Sequence, residues 1–150
     1  MKSHQIKSSM LLPRPIEEVF SFFSKAENLN AITPPELNFT ILTPPPIHME
    51  VGTLIDYSIR LHGIPMKWKT LISKWEPPFM FVDQQLKGPY KIWIHEHTFR
   101  SIGSSTEMND IVQYLSPGWL LEPFVTRFFV KRQVEKIFEF RQQKLKELFK

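Results

Sequence analysis

Cysteine is missing altogether from the 150 residues. Disulfide frameworks, thiolate metal sites and cysteine nucleophiles are therefore excluded, and the redox state of the compartment is left open. Long apolar runs are missing too: none approaches the roughly 18 residues that span a bilayer. The segment from Met1 to Met10 is polar and holds no signal-peptide hydrophobic core. Glycine is sparse at five residues, and no phosphate-cradling loop, Walker motif or nucleophile elbow is present. A soluble, cytoplasmic protein is the expectation. The length fits a single domain over residues 1–150, able to bury about two-thirds of the surface its unfolded form exposes.

A strong charge of either sign is also lacking over most of the chain. Nineteen Lys and Arg against fifteen Asp and Glu leave +4, and the excess sits entirely between Trp119 and Lys150, with eight basic and four acidic residues. The remainder is balanced. A nucleic-acid binder shows a denser basic stripe with aromatics exposed beside it, whereas the aromatics here fall at periodic, core-like positions. The basic tail reads as the solvated face of a helix, and no nucleic-acid partner is expected.

What is present is a clear punctuation by proline and glycine. Ile6 to Leu12 has strand composition and ends at Pro13 and Pro15. Ile16, Val19, Phe20, Phe23 and Ala26 then share one helical face, predicting a helix to about Asn28, with Glu17 and Glu18 suited to its positive end. A further short turn over Asn28 to Ile32 stops at Pro34-Pro35, and Leu37 to Thr43 reads as a strand. From Gly52 to Ser116 the period is two, broken at Gly63, Pro77-Pro78, Gly88-Pro89 and Gly103. Segments of about ten residues between turns predict an antiparallel meander. The tail is helical, but Leu120, Leu121, Phe124, Val125, Phe128 and Phe129 cluster on one side, and Val130, Val134, Ile137, Phe138, Leu145 and Leu148 on another. Either the segment breaks near Phe129–Lys131 or it buries two faces. Leu120 to Phe129 is expected to cover a cavity mouth, Val134 to Leu148 to pack on the sheet.

Turn positions set which side chains face inward. A turn at Gly63-Ile64 pairs Leu61 with Met66, Ile59 with Trp68, Tyr57 with Thr70 and Ile55 with Ile72. The same face continues through Phe81, Asp83 and Gln85. A turn at Gly103-Ser104 pairs Phe99 with Met108, His97 with Asp110, His95 with Val112 and Trp93 with Tyr114. Glu107, Asn109 and Gln113 alternate with these and suit water. The inward face thus mixes Trp68, Phe81, Trp93, Phe99 and Met108 with Asp83, Gln85, His95, His97, Asp110 and Tyr114. A dry core rarely holds two carboxylates and two imidazoles, because desolvating unpaired charges is costly. A concave apolar pocket with convergent polar groups fits better.

The run Trp68, Trp75-Glu76-Pro77-Pro78, Phe81, Asp83, Gln85, Gly88-Pro89-Tyr90, Trp93, His95, His97 and Phe99 resembles the bacterial ligand-binding branch of the SRPBCC superfamily. So do Thr106, Met108, Asp110, Tyr114, Pro117-Gly118 and the upstream Asn28-Leu29…Ile32-Thr33-Pro34. That superfamily includes START-type lipid-transfer domains, the birch-pollen-allergen fold and polyketide cyclases. The resemblance covers nearly the whole chain. It implies an α+β helix-grip fold: a curved seven-stranded antiparallel sheet around a long C-terminal helix, two short helices after the first strand, and a hydrophobic cavity between. Members bind, cyclise or hydrate different molecules with different cavity groups, so the resemblance carries a lining role to Trp93, His95, His97, Asp110 and Tyr114, and no catalytic role.

The ligand-binding residues expected are therefore Trp68, Phe81, Asp83, Gln85, Trp93, His95, His97, Met108, Asp110, Tyr114 and Phe124. Two imidazoles and Asp110 are a thin case for a metal, since no HExxH spacing or cysteine supports one, and neither metal nor cofactor is expected. His97 with Asp110 has the form of a general base and its orienting carboxylate. The plainer reading is a buried polar network fixing strand register. Two functions follow: carriage of an apolar or aromatic small molecule, or a cyclase or hydratase using the His/Asp pair. A cavity open to bulk through a wide mouth, with His97 hydrogen-bonded at both nitrogens, favours the first, and a closed pocket with an unpaired imidazole nitrogen aimed at its centre the second. An adaptor touching a membrane surface or a protein through the basic helix is the third reading.

Overall fold

The computed structural model describes residues 3–61, 63–115 and 123–150, with side chains of the last segment described from Val130 onward. The first strand, β1 (His4–Leu12), leads into helix α1 (Ile16–Phe23). Tight 3₁₀ turns follow at Ala26–Ile32 and Pro35–Leu37. Six more strands come next: β2 (Thr40–Ile41), β3 (Leu54–Leu61), β4 (Ile64–Glu76), β5 (Met80–Lys87), β6 (Ile92–Ile102) and β7 (Ser105–Leu115). Helix α2 (Pro123–Leu148) closes the chain.

The seven strands form one antiparallel sheet in the order β1-β7-β6-β5-β4-β3-β2. Chain order is thus kept from β2 to β7, and β1 joins the far edge. Two register shifts in the β4–β5 pairing, at Lys69/Thr70 and between Ile72 and Lys74, bend that ladder, as an extra residue on one strand does. The helix-grip architecture expected from the resemblance is the architecture found.

Details of the sequence reading need correction. Helix α1 ends at Phe23, with Ser24 as its C-cap, and not near Asn28. Ala26 still points inward because the tight turn that follows reuses the same apolar face. The strand expected over Leu37 to Thr43 shrinks to two residues, since Leu37 closes a 3₁₀ turn and Asn38 takes a positive φ of 48°. In the β3–β4 hairpin Leu61 pairs with Ile64, Ile59 with Met66, Tyr57 with Trp68 and Ile55 with Thr70, two residues tighter than expected. A slip of two keeps every side chain on its face, so Ile55, Ile59, Leu61, Trp68, Thr70 and Ile72 are all buried. The β6–β7 register is as expected, with Trp93, His95, His97 and Phe99 opposite Tyr114, Val112, Asp110 and Met108.

Helix α2 runs unbroken. It lies against β1 and the Ala26–Ile32 turn. Its buried row is Val130, Val134, Phe138, Arg141, Leu145 and Phe149, spaced three or four apart as one helical face requires. Leu148, assigned to that face from the sequence, is exposed instead, because Phe149 follows Leu145 at the next inward position. The side chains of residues 120–129, Phe124 among them, lie outside the described residues, so the cover expected there is not placed.

The core divides into two clusters. Met10, Leu12, Ile16, Val19, Phe20, Phe23, Phe81, Phe99, Met108 and Leu145 pack at one end. Leu37, Ile59, Leu61, Trp68, Tyr90, Val112, Tyr114, Val134 and Phe138 pack at the other. A polar cluster carried by β5, β6, β7 and α2 stands between them.

Candidate functional site

A strand turns successive side chains to opposite faces, so His95 and His97 share the inner face of β6. Pairing places His95 opposite Asp83 on β5 and His97 opposite Asp110 on β7. Arg141 reaches this group from α2. Asp110 Oδ1 accepts from His95 Nε2 at 2.7 Å and from Arg141 Nη2 at 3.2 Å, and lies 3.0 Å from His97 Nδ1. His97 Nε2 donates to Asp83 Oδ2 at 2.6 Å. The two imidazoles stack with centroids 3.6 Å apart, and Phe81 stacks on the far face of His97 at 4.0 Å. Phe23 and Phe138 flank the Arg141 guanidinium, at 5.2 and 5.9 Å.

Carboxylates only accept, so His95 Nε2 and His97 Nε2 carry protons, while His97 Nδ1 lies between Asp110 Oδ1 at 3.0 Å and Arg141 Nη2 at 3.3 Å. Both His97 nitrogens face carboxylate oxygens; burial alone disfavours its charged form, but the bonds to Asp110 and Asp83 outweigh burial and raise its pKa. Burial, reinforced by the charge on His97, pushes His95 down to about 4 against the pull of Asp110 and Asp83. Burial opposes ionisation of Asp110, yet Arg141 and the two histidine bonds hold it well below the usual carboxylate range. Asp83 is likewise lowered despite burial, chiefly by the bond from His97. Two carboxylates thus face one guanidinium and two imidazoles, with the charged form favoured at His97 and the neutral form at His95.

Beside this cluster lies a cavity of about 160 Å³, a volume comparable to cavities that hold a single aromatic ring. Its floor comes from the sheet: Ile55, Ile59, Trp68, Ile72, Phe81 and Trp93. Phe22, Phe23, Leu29, Ile32 and Leu37 wall one side, and Ile137, Phe138 and Arg141 of α2 another. The polar groups on the wall include Asp83, His95, His97, Arg141 and the Tyr57–Thr70 pair, whose hydroxyls are 3.0 Å apart, with Lys25, Asn28 and Thr33 on the side of the 3₁₀ turn.

Of the residues expected at a site, Trp68, Phe81, Asp83, Trp93, His95 and His97 line this cavity. Four others lie off its wall. Gln85 turns away to the backbone of Tyr90, bonding both its N–H and its carbonyl, because the loop after β5 needs those groups satisfied. Met108 is fully buried in the cluster beside α1. Asp110 sits behind the imidazoles as their shared acceptor, and Tyr114 packs into the second cluster against Tyr90 and Trp93. Phe124 lies outside the described residues.

Arg141 was not anticipated. Its position was nonetheless marked, three residues after Phe138 and four before Leu145, squarely within an apolar helical row. A charged residue in such a row requires buried counter-charges, and Asp110 supplies one. The walls from α1 and the 3₁₀ turns were also missed, since only tertiary packing brings Phe22 and Leu29 opposite Trp68.

Asp83, His95 and His97 bring one ligand atom each within 4.8 Å of one another, a spacing that invites a metal. The geometry does not suit one. A zinc ion needs lone pairs converging at about 2.0–2.1 Å on a single point, whereas stacked rings aim theirs side by side. His97 also has both nitrogens engaged, Nε2 by Asp83 and Nδ1 by Asp110 and Arg141.

No protein family and no curated protein matches the chain by sequence. Solved structures do match. A START superfamily protein from Mycobacterium smegmatis shares 13% identity over 97% of each chain, with a TM-score of 0.74. The Zhui aromatase/cyclase from Streptomyces sp. R1128 shares 13% over 95% of this chain and 91% of its own, with a TM-score of 0.76. Ginseng major latex-like protein 151 from Panax ginseng shares 9% over 100% and 99%, with a TM-score of 0.68. At such identities the likeness is one of architecture, and it shows that this chain has the helix-grip fold of these structures.

Proposed function

We propose that the protein binds an apolar or aromatic small molecule in the cavity between its sheet and α2. The observation that carries this reading is the composition of the wall: large apolar side chains on three sides, with a few polar groups gathered at one place. Burial of ligand surface supplies the affinity, at about 25 cal/mol per Å² before ordering costs are subtracted. The polar groups supply selectivity. The fold shared with START and latex-like proteins agrees with a cavity used for binding.

Carriage is favoured over cyclisation or hydration by the state of the imidazoles. His97 is tied at both nitrogens, and His95, at a pKa of about 4, is a weak base at neutral pH. General bases work best with a pKa near the operating pH. No helix among the described residues is long and apolar enough to cross a membrane.

The test is titration with N-phenyl-1-naphthylamine, an uncharged fluorescent probe, against the wild type and Trp93→Arg. Wild type should enhance the fluorescence saturably, while the variant, with a cation placed on the wall, keeps its far-UV spectrum and loses uptake. No saturable uptake by the wild type would sink the reading.

A further inference from the structure

Outside the cavity the unmet chemistry is cationic. Of the arginines whose side chains are described, Arg14 pairs with Glu18, Arg100 with Glu107 and Arg141 with Asp110. Arg60 and Arg132 have no ion pair and no side-chain hydrogen bond among the described residues. Distant in sequence, both line one groove of about 320 Å³, set between the Pro35–Leu37 turn, the β3–β4 hairpin and the flank of α2. Lys136 lines it as a third cation, and Gln133 as an amide able to donate.

Helix stability does not account for this arrangement. Elsewhere on α2 the charges answer one another, Lys131 with Glu135 and Lys144 with Glu147. Arg132 and Lys136 instead stand four residues apart, where like charges on a helix repel. Glu36, the one acid lining the groove, forms an ion pair with none of the three cations. Three positive charges against one negative leave two in excess. All three cations are exposed, so an anion in solution can reach them.

We propose that this groove is a binding site for a phosphate-type dianion, distinct from the cavity and independent of what the cavity holds. Its two excess charges match a dianion. The planar fork of an arginine fits two phosphate oxygens at once, and a lysine adds a point charge. Leu37 and Ile137 line both the groove and the cavity, so apolar space lies across that wall from the anion. The same dianion can therefore come free, as inorganic phosphate, or as the ester head of a molecule with an apolar body.

The experiment follows backbone amide shifts by NMR during titration with inorganic phosphate and with 1-naphthyl phosphate. Mildly alkaline pH keeps both as dianions, and chloride at matched ionic strength is the control for screening. The wild type should show saturable shifts clustered at Glu36, Arg60, Gly63, Arg132 and Lys136, with a Kd for phosphate of about 1 mM or below. Arg60→Gln combined with Arg132→Gln should weaken phosphate binding by about tenfold or more. Glu36→Gln, which removes the opposing charge, should tighten it. Lys144→Gln, a change farther along α2 and outside the groove, should leave it within about twofold. Tighter binding of the ester, with added shifts at Trp68 and Trp93, assigns the site to the head of an amphipathic molecule, and equal binding assigns it to the free ion; either result upholds the site. Absence of saturable shifts with phosphate, or an unchanged affinity in the folded double variant, overturns the proposal and leaves the cavity reading untouched. If the double variant fails to fold, Glu36→Gln decides, and an affinity that does not rise overturns the proposal.

Discussion

Replacing Arg141 by methionine keeps an unbranched chain beside Phe23 and Phe138 but withdraws the guanidinium charge paired with Asp110. Removing one partner of a buried ion pair costs about 3–5 kcal/mol, because the other charge stays behind without compensation. The more searching consequence is in the pH dependence. His95 has a folded pKa of about 4 against 6.5 when unfolded, so the unfolded chain takes up its proton first and acid favours unfolding. Between pH of about 6 and about 4.5 this alone should cost the wild type about 2 kcal/mol. His97 is raised; its contribution is complete below about 6.5 and is lost as pH rises through the folded value, so it changes little across that acid window. Asp83 and Asp110, both lowered, remain ionised in the native state there. Without Arg141 the cluster loses one positive charge beside Asp110, and a proton on His95 replaces it. The His95 pKa should therefore rise, and the variant should lose less than about 1 kcal/mol over the same window. Urea unfolding followed by circular dichroism at several pH values measures both effects. A variant that is destabilised by less than about 1 kcal/mol at neutral pH, or that keeps the wild-type acid slope, refutes the electrostatic account of the cluster.

Leu145 is fully buried in the cluster beside α1, and Leu145→Ala should cost about 2–5 kcal/mol in chemical denaturation, on the scale of core truncations elsewhere. Tyr57→Phe removes the hydroxyl bonded to Thr70 and should cost about 1 kcal/mol. Burial and the nearby Asp83 raise the Tyr57 pKa, so the unfolded chain ionises first and native stability falls above pH of about 10. Thermal melts in that alkaline range should show a shallower fall for Tyr57→Phe than for the wild type, with Tyr90, also raised, accounting for what persists.

Local pattern was enough to read the sheet, because a two-residue period and a tight turn leave few registers. The Gly103 turn fixed the partners of Trp93, His95, His97 and Phe99, and those pairs are found. The Gly63 turn was read as looser than it is, yet an even slip leaves the facing unchanged, and the inward set of β3 and β4 survived the error. Where the physics is non-local the sequence was less informative. Gln85 shares the inward parity of Asp83 but is taken by the Tyr90 backbone, a demand set by the loop and not by the strand. Asp110 was read as a cavity group from its alternation, but the imidazoles and Arg141 gather on it and leave it behind them. Arg141 itself was passed over because charge was taken as a mark of the solvated face. The helical row through Phe138 and Leu145 contradicted that, and the row was the better guide.

The pairing of β1 with β7 has a consequence for synthesis. His4 finds its partner only at Tyr114, and Leu12 at Thr106. At about 5–20 residues per second, the first strand therefore waits on the order of 5–20 s before its neighbour has been made. Through that interval Ile6, Met10 and Leu12, which end up in or against the core, have no sheet to join, while β2 to β6 can already zip hairpin by hairpin. The strand made before the other six is thus among the last to be placed, and the chain's exposure to misassociation is set by its topology and elongation rate more than by its final stability.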